Sequence, residues 1–462
     1  MTVTLTEVNA TAIYQIPVTI CPMHYYGETE KYDYDNNKFG FDKGDLSHVK
    51  SVTSAPVGSG PYTFESYSNG AVTLEKNAGY WKGEPKIDTI IWREMQDVDK
   101  IPGVVSGTID ITDPSYSKEA ADQIKKANSN GEISGDVLQT DLVANLGYGY
   151  VGFNANRVKV GNGNGGDEAS KNLRKGLATV FAAYRELSVE SYYGERASVI
   201  NYPISNTSWA APQATDAGYQ VAFSVDVDGY SGMTTAIATL LADLTGSIFP
   251  LFAPICGILG TFVTGSTTSS GVLFAKMQYE VQIPADGTGN HPSFMMVTEA
   301  KKALAEIGMD IVVTDLSDAT ALWDGIRARQ VDMWCAAWNA TVDPDMYQIY
   351  YADVADFNGD MGNGYNPMGG PDQGNSSYMY CVADEELDNM ILEARKSLDQ
   401  SYRKTLYKAC LDTIVDWATE VPVYQRQNAI IFSTERVKME TVLPDITTFY
   451  GWLNGIQNME LN

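Results

Sequence analysis

The segment between residues 290 and 350 limits the possible folds most, because helical and strand patterns alternate within it. Apolar side chains recur at helical spacing over 293–307 and again over 319–328. Short apolar runs at 309–313 and 331–338 fit strands, and the second run is apolar enough to be covered on both faces. This order of elements predicts an α/β fold, with a polar loop at the carboxyl end of the second strand.

A β-hairpin is predicted between residues 56 and 97. Alternating side chains over 62–67 and 71–76 flank Asn69 and Gly70, a dipeptide typical of tight hairpin turns. Further elements follow from the same periodicity rules. The predicted strands are 1–7, 87–94, 109–111, 148–154, 420–424 and 428–433, and the predicted helices are 168–184 and two within 384–417.

Charge and residue usage exclude several classes of function. Lys and Arg number 32 against 58 Asp and Glu, a net charge of −26, which excludes nucleic acid as the main partner because phosphate binding needs a basic surface. The five Cys form no C-x-x-C pair, and the three His are far apart in the sequence. The sequence therefore predicts neither a metal ion nor a cofactor.

One apolar segment departs from the α/β pattern. Residues 244–275 contain no charged side chain, and their core, 248–263, is shorter than the roughly 20 apolar residues that span a bilayer. Pro250 and Pro254 interrupt it. A buried core helix or a re-entrant segment fits this length better than a membrane span. Residues 1–7 lack the basic and apolar regions of a secretory signal.

The hairpin region also carries a family resemblance. Residues 56–97, PVGSGPYTFESYSNGAVTLEKNAGYWKGEPKIDTIIWREMQD, resemble the signature region of the family 5 solute-binding proteins, the peptide- and nickel-binding lipoproteins of ABC importers. The turn, the hairpin, the N-x-x-Y-W loop and the closing strand follow in the family's order. Further similar segments are 150–154, 173–178, 301–313, 338–345 and 387–424.

The resemblance implies a type II periplasmic-binding-protein-like α/β fold, in which two α/β lobes enclose a ligand cleft. Residues 1–55 are then a remnant of the N-terminal section, because the family has a longer section there. Lobe 1 is expected to comprise 56–155 plus 428–462, and lobe 2 to comprise 156–427. An atypical apolar insert at 235–274 resembles the lactate permeases, so we expect an N-terminally truncated chimera.

The same resemblance implies the function of an extracytoplasmic solute-binding protein. Such a protein captures short peptides, or a related small ligand, and delivers them to the transmembrane subunits of an ABC transporter. The resemblance implies no catalysis, and we expect a monomer. Whether the ligand is a dipeptide, an oligopeptide, a nickel chelate or a sugar stays open.

The strand at 331–338 leads to the first candidate site residues. Trp338 is expected to stack on the ligand, while Asn339 and Thr341 hold a peptide backbone by hydrogen bonds. In the family an Asp of this loop pairs with the ligand's amino group, and Thr341 stands at that position here. Asp343 could substitute for it. The alternatives are a core Trp338 and a turn in which Asp343 and Asp345 cap the following helix.

Two further candidates lie elsewhere in the chain. Asn154 could bind ligand from the hinge edge, or it could simply end its strand in a turn. Tyr378, with Tyr380 close by, could line the cleft, or both could be packing residues.

Other classes of function stay open on sequence grounds. The truncated chimera could have no function at all. A peptide or glycoside hydrolase would need a nucleophile–base pair or two convergent carboxylates, and neither has a recognisable signature here. A membrane-protein fragment would rest on residues 244–275 alone.

Overall fold

The structure of the protein is a computed structural model. It describes residues 3–16, 21–223, 278–284, 289, 291–306, 308–352, 354 and 379–462. The expected apolar insert at 235–274 and the candidate residue Tyr378 lie outside these residues. Within them, no helix is both long enough and apolar enough to cross a membrane.

Helices and strands alternate along the described chain. The helices are α1 (Ala12–Gln15), α2 (Met23–Tyr26), α3 (Ser47–Val52), α4 (Asp97–Val105), α5 (Lys118–Ala127), α6 (Glu168–Ala183), α7 (Arg185–Tyr193), α8 (Pro292–Glu306), α9 (Ala319–Arg327), α10 (Tyr347–Tyr350), α11 (Glu385–Lys396) and α12 (Gln400–Trp417). The strands are β1 (Tyr32–Asp33), β2 (Lys38–Phe39), β3 (Tyr62–Ser68), β4 (Ala71–Lys76), β5 (Thr89–Arg93), β6 (Ile111–Thr112), β7 (Leu138–Ala144), β8 (Tyr148–Phe153), β9 (Ala197–Val199), β10 (Gln278–Pro284), β11 (Asp310–Leu316), β12 (Met333–Trp338) and β13 (Glu420–Ser433).

The chain forms two compact units. The larger unit comprises residues 1–15 and 145–426, and the smaller unit comprises 16–144 and 427–462. The sequence placed the first lobe boundary after residue 155, whereas the chain enters the larger unit at Asn145. The physical reason is β8, which pairs with β12 along its whole length and so belongs with the strands of the larger unit.

The sheet of the larger unit has the strand order β11, β10, β12, β8 and β13, with β9 beside β13. Strand β10 is parallel to both β11 and β12, while β8 is antiparallel to β12 and to β13. Parallel neighbours need a crossover connection, and α8 and α9 supply it, as the alternating pattern over 290–338 predicts. The mixed α/β class is thereby confirmed.

Helices cover both faces of this sheet, so its central strands are buried on both sides. Side chains alternate between the two cores, as strand geometry requires. Phe153 and Cys335 pack in one core beside α6, α7 and α8. Tyr150, Trp334 and the half-buried Trp338 pack in the other, beside α11 and α12. The alternation therefore places the candidate Trp338 on the same face as Tyr150.

The smaller unit contains the predicted hairpin. Strands β3 and β4 are antiparallel and β5 continues the sheet. Asn69 and Gly70 join the first two strands with φ angles of 50° and 72°, the left-handed conformation that two-residue hairpin turns need. The second half of β13 pairs with β7 and β6 in the same unit.

Two predicted elements differ from the structure. Residues 420–424 and 428–433 form one continuous strand, because the polar residues between them also pair, Gln425 with Ser198 and Gln427 with Ala144. The strand predicted over 1–7 is absent from residues 3–7, and the first helix begins at Ala12. Alternation alone does not make a strand, since the backbone also needs a partner to pair with.

Candidate functional site

Trp338 ends β12 and is held from two directions. Its ring lies parallel to that of Tyr150, with centroids 5.7 Å apart and planes inclined by 7°. Its ring N–H points to the hydroxyl of Tyr380 at 3.1 Å and to a carboxylate oxygen of Glu420 at 3.4 Å. Buried side chains therefore hold the Trp338 ring through stacking and hydrogen bonds, while the residue itself stays partly exposed.

Glu420 is the centre of this site. Its side chain has no exposed surface, and its carboxylate accepts four hydrogen bonds. Tyr148 donates to Oε1 at 2.9 Å, and Oε2 accepts from Tyr350 at 3.1 Å, from Tyr380 and from Trp338. These donors come from β8, α10, the segment before α11 and β12. We call Glu420 and its four donors the Glu420 cluster.

Electrostatics inside the Glu420 cluster keep the tyrosines protonated. Burial, reinforced by the nearby negative charge of Glu420, raises the pKa of Tyr148, Tyr350 and Tyr380 well above the ordinary value. Burial also raises the pKa of Glu420, and the hydrogen bonds that it accepts act in the opposite direction. The tyrosines are therefore donors at neutral pH.

Further aromatic side chains pack against the Glu420 cluster. The rings of Tyr350 and Tyr380 stack with centroids 5.4 Å apart, and Trp334 lies 5.5 Å from Tyr380. The indole N–H of Trp334 points to the hydroxyl of Tyr150 at 3.4 Å. Aromatic pairs in this distance range attract each other beyond the area that they bury. The partly exposed ring of Trp338 thus rests on buried aromatic side chains.

The loop after β12 presents two of the predicted residues at the surface. Asn339 and Thr341 are both exposed and follow Trp338 directly. The hydroxyl of Thr341 donates to the backbone carbonyl of Asp343 at 2.6 Å, which tightens the turn. Trp338, Asn339 and Thr341 are therefore brought together at the carboxyl end of β12, where open α/β sheets bind ligands.

Asp343 has an internal partner. Both of its carboxylate oxygens accept from Nη2 of Arg403, at 2.7 and 2.9 Å, and only 4% of Asp343 is exposed. The same Arg403 nitrogen donates to the hydroxyl of Tyr407 at 2.8 Å. Asp345 accepts from the backbone N–H of Tyr347 at 3.2 Å in a turn that leads into α10, whose N-cap residue is Met346. The carboxylate of Asp343 is thus paired inside the larger unit and is not presented at the surface of the loop.

Asn154 lies away from Trp338. The side-chain oxygen of Asn154 accepts from the backbone N–H of Asn156 at 3.0 Å, and the backbone N–H of Asn154 donates to the backbone carbonyl of Asp332. These bonds make the turn that ends β8. Trp338 pairs with Tyr148 at the other end of that strand, six residues and about 20 Å from Asn154 at 3.4 Å per residue.

Sequence reasoning missed Glu420, Tyr148 and Tyr350. Glu420 could have been found from the sequence because it is an acidic residue at the start of a mostly apolar strand. A buried carboxylate at such a position needs hydrogen-bond donors from neighbouring elements. Tyr380 was weighed only as a companion of Tyr378, and it proves to be a buried member of the Glu420 cluster. In the described residues no group of three or more His, Cys, Asp or Glu side chains could hold a metal ion.

Comparison with known proteins places this fold in a family. The model of the bacterial extracellular solute-binding proteins, family 5 Middle, matches residues 1–236 of the 462. Oligopeptide-binding protein AppA of Bacillus subtilis (strain 168) is 26% identical over 198 residues, which are 43% of this chain and 31% of that protein. The structure of AppA from Bacillus subtilis in complex with a nonapeptide is similar with a TM-score of 0.64 and 16% identity, covering 99% of this chain and 75% of that one.

A second family accounts for the apolar segment. The L-lactate permease model matches residues 210–303. The L-lactate permease of Streptococcus iniae is 52% identical over 52 residues, which are 11% of this chain and 11% of that protein. The predicted permease-like segment is thereby confirmed, and the chain spans only a minor part of the curated relatives that it matches. Because the first family model covers more than half of the chain, the protein belongs to the bacterial extracellular solute-binding proteins of family 5.

Proposed function

We propose that this protein binds a short peptide, or a chemically related small ligand, at the carboxyl end of β12. It acts outside the cytoplasm as a monomer and delivers that ligand to the transmembrane subunits of an ABC transporter. The observation that carries the proposal is Trp338, partly exposed and held by Tyr150 and the Glu420 cluster. AppA in complex with a nonapeptide, a protein of the same fold, supports a peptide as the ligand.

The chemistry of the strand end suits a peptide. A flat indole ring offers a large contact area at little cost in side-chain entropy, because its two torsions are already fixed. The exposed amide of Asn339 can donate to and accept from a peptide backbone, and the hydroxyl oxygen of Thr341, whose proton is donated to Asp343, can accept from one. Recognition of backbone groups next to an aromatic ring tolerates many side chains. We therefore propose a binding protein of broad sequence tolerance that leaves its ligand unchanged.

The binding proposal is tested by titrating the full chain with a mixed-sequence synthetic nonapeptide pool and following intrinsic fluorescence. Trp338→Ala should weaken apparent affinity about 10- to 30-fold, which corresponds to about 1.4–2 kcal/mol for the loss of an aromatic anchor. The matched control is Trp81→Ala, since Trp81 is 76% exposed and lies in the smaller unit. It should leave the affinity unchanged.

Two results would count against this function. A wild-type chain that binds no component of the pool would contradict peptide binding, and equal losses in Trp338→Ala and Trp81→Ala would contradict the site. Mass spectrometry of the pool after incubation tests the absence of turnover. Every peptide should be recovered intact, and cleaved products that disappear on a single substitution would instead indicate a hydrolase.

A further inference from the structure

We infer that Glu420 is a positioning residue: through its carboxylate oxygen Oε2 it sets the rotation of the Trp338 ring that contacts the ligand. The inference rests on the proposed function and deepens it, because it adds a residue that determines affinity without touching the ligand. Glu420 has no exposed surface, so any effect that it has on binding must pass through the side chains around it.

Two contacts together fix the Trp338 ring. Stacking on Tyr150, with planes inclined by 7°, sets the plane in which the indole lies. It does not distinguish the two orientations of the ring that a half-turn about the Cβ–Cγ bond exchanges within nearly the same plane. The indole N–H is a donor only, and its two acceptors, Tyr380 and Glu420, lie on one side. The hydrogen bonds therefore select one orientation of the Trp338 ring. They thereby determine which edge of the indole is turned towards solvent.

Tyr380 depends on the same oxygen. Its hydroxyl donates to Oε2 of Glu420, which leaves the lone pairs of the hydroxyl oxygen to accept from Trp338. Tyr350 donates to Oε2 as well, and its ring stacks on that of Tyr380. Without the acceptor at Oε2, the hydroxyl protons of Tyr380 and Tyr350 would need new acceptors, and the Trp338 N–H would lose one of its two acceptors.

A purely structural role explains the Glu420 cluster less well. A buried carboxylate must give up its hydration, and an apolar side chain of similar volume often stabilises a core as well or better. The bonds of Glu420 instead join residues that are 40, 70, 82 and 272 positions away in sequence. Such an arrangement determines one orientation of several rings, which is what a preformed binding surface requires.

The test uses two variants that make the same chemical change inside and outside the Glu420 cluster. Tyr380→Phe removes a donor to Oε2 that also accepts from Trp338, while Tyr62→Phe removes a hydroxyl group that donates to the backbone carbonyl of Ile87 in the smaller unit. Affinity for the mixed nonapeptide pool should fall about fivefold or more in Tyr380→Phe and stay within about twofold in Tyr62→Phe. Equal affinities in the two variants would overturn the inference.

Glu420 itself is tested with an apolar and a conservative substitution. Glu420→Leu should weaken binding of the pool about tenfold or more, and Glu420→Gln, whose amide oxygen can still accept at the Oε2 position, should restore it to within about threefold of wild type. In a Trp338→Phe background, Glu420→Leu should have little further effect, because the N–H through which Glu420 acts is gone. An undiminished tenfold loss in that background would overturn the inference.

A spectroscopic measurement separates this inference from the proposed function. The emission of Trp338, obtained by subtracting the spectrum of Trp338→Phe, should shift in Tyr380→Phe and stay unchanged in Tyr62→Phe. This arm needs no ligand and also stands if Glu420→Leu fails to fold. If the wild type binds no peptide but the Trp338 signal shifts as stated, the proposed function fails and ring positioning stands. An unchanged signal in both variants would overturn ring positioning.

Discussion

At the scale of single residues, the larger unit buries one arginine with neutral partners alone. Arg174 has no exposed surface, and its guanidinium donates to the backbone carbonyls of Trp417, Val158 and Gly165 at 2.8–3.1 Å. Burial lowers the pKa of Arg174 to about 9. Three carbonyls satisfy its donors without neutralising its charge, so the side chain ties the loop before α6 to the end of α12.

His291 is the titratable group that should make stability depend on pH. Its Nδ1 accepts from the backbone N–H of Ser293 at 3.3 Å, so the ring proton is on Nε2, which donates to Tyr424 at 3.0 Å. Burial, with the nearby charge of Arg426, lowers the pKa of His291 to about 4. As the pH falls from about 6.5 towards 4, the unfolded state binds a proton that the folded state does not.

The stabilising contribution of neutral His291 is therefore complete above pH 6.5 and is lost as the pH falls to about 4. We expect the difference in unfolding free energy between wild type and His291→Gln to shrink by about 1–3 kcal/mol between pH 7 and pH 4. Urea denaturation at both pH values measures it. His24→Gln, which removes an exposed imidazole, is the control for losing a histidine. A difference that stays constant would contradict this account.

At the scale of elements, β13 shows how one strand serves two cores. Within the smaller unit its side chains alternate, and Ala429 and Ile431 pack with α4 and α5. Ile430 and Phe432 face the opposite core, with Val437. The period of two that identifies a strand in the sequence thus also assigns each residue to a core. The same period does not show where a strand ends when polar residues within it continue the backbone ladder. For this reason β13 was expected as two separate strands.

The β3–β4 hairpin allows a direct test of turn chemistry. Gly70 has a φ of 72°, and an added Cβ would lie 3.5 Å from the nearest side-chain atom, so space is not limiting. Gly70→Ala should nevertheless destabilise the smaller unit by about 1 kcal/mol, because an L side chain disfavours this backbone conformation. Hydrogen exchange of the β3 and β4 amides measures the change.

The matched control for the hairpin is Gly58→Ala. Gly58 precedes β3, has ample space around its Cα and does not have a positive φ. Alanine there should leave the exchange rates unchanged or slow them slightly, because it only restricts the unfolded chain. Equal acceleration in both variants would show that the turn conformation does not control the hairpin.

At the scale of the whole molecule, the smaller unit is discontinuous in sequence but continuous in space. Residues 16–144 and 427–462 form it together, and Ala144 lies directly opposite Gln427 in the antiparallel ladder of β7 and β13. The two apolar clusters of this unit draw on both segments, since one contains Ile124 and Ile431, and Tyr62 packs against the other, which contains Phe432. Neither segment alone contains a complete core.

We therefore expect a chain of residues 16–144, joined through Asn-Gly to 427–462, to fold by itself. Directly opposite antiparallel residues are the ends that a two-residue turn connects. Thermal unfolding followed by near-ultraviolet circular dichroism should give one cooperative transition. Residues 16–144 alone should give none, because they lack Ala429, Ile431 and Phe432. A non-cooperative joined chain would mean that the smaller unit depends on the rest of the protein.

The sequence by itself determined the local elements and the family. The helices and strands over 290–338, the hairpin at 62–76 and the permease-like segment all follow from periodicity, turn residues or resemblance. These signals lie within short stretches of chain, where the spacing of apolar side chains and the conformational preferences of Asn and Gly act directly. Trp338 was found in the same way, from its place after a buried strand.

Only the tertiary structure decided what surrounds Trp338. The carboxylate of Asp343 pairs with Arg403, 60 positions away, in the interior of the larger unit. The position of Asp343 in the loop after β12 was equally consistent with binding a ligand. Glu420 reaches Tyr148 across 272 positions. Hydrogen bonds over such separations depend on which elements pack together and in which register. No local pattern carries that information, because one side chain in the sequence is compatible with many partners until the sheet is assembled.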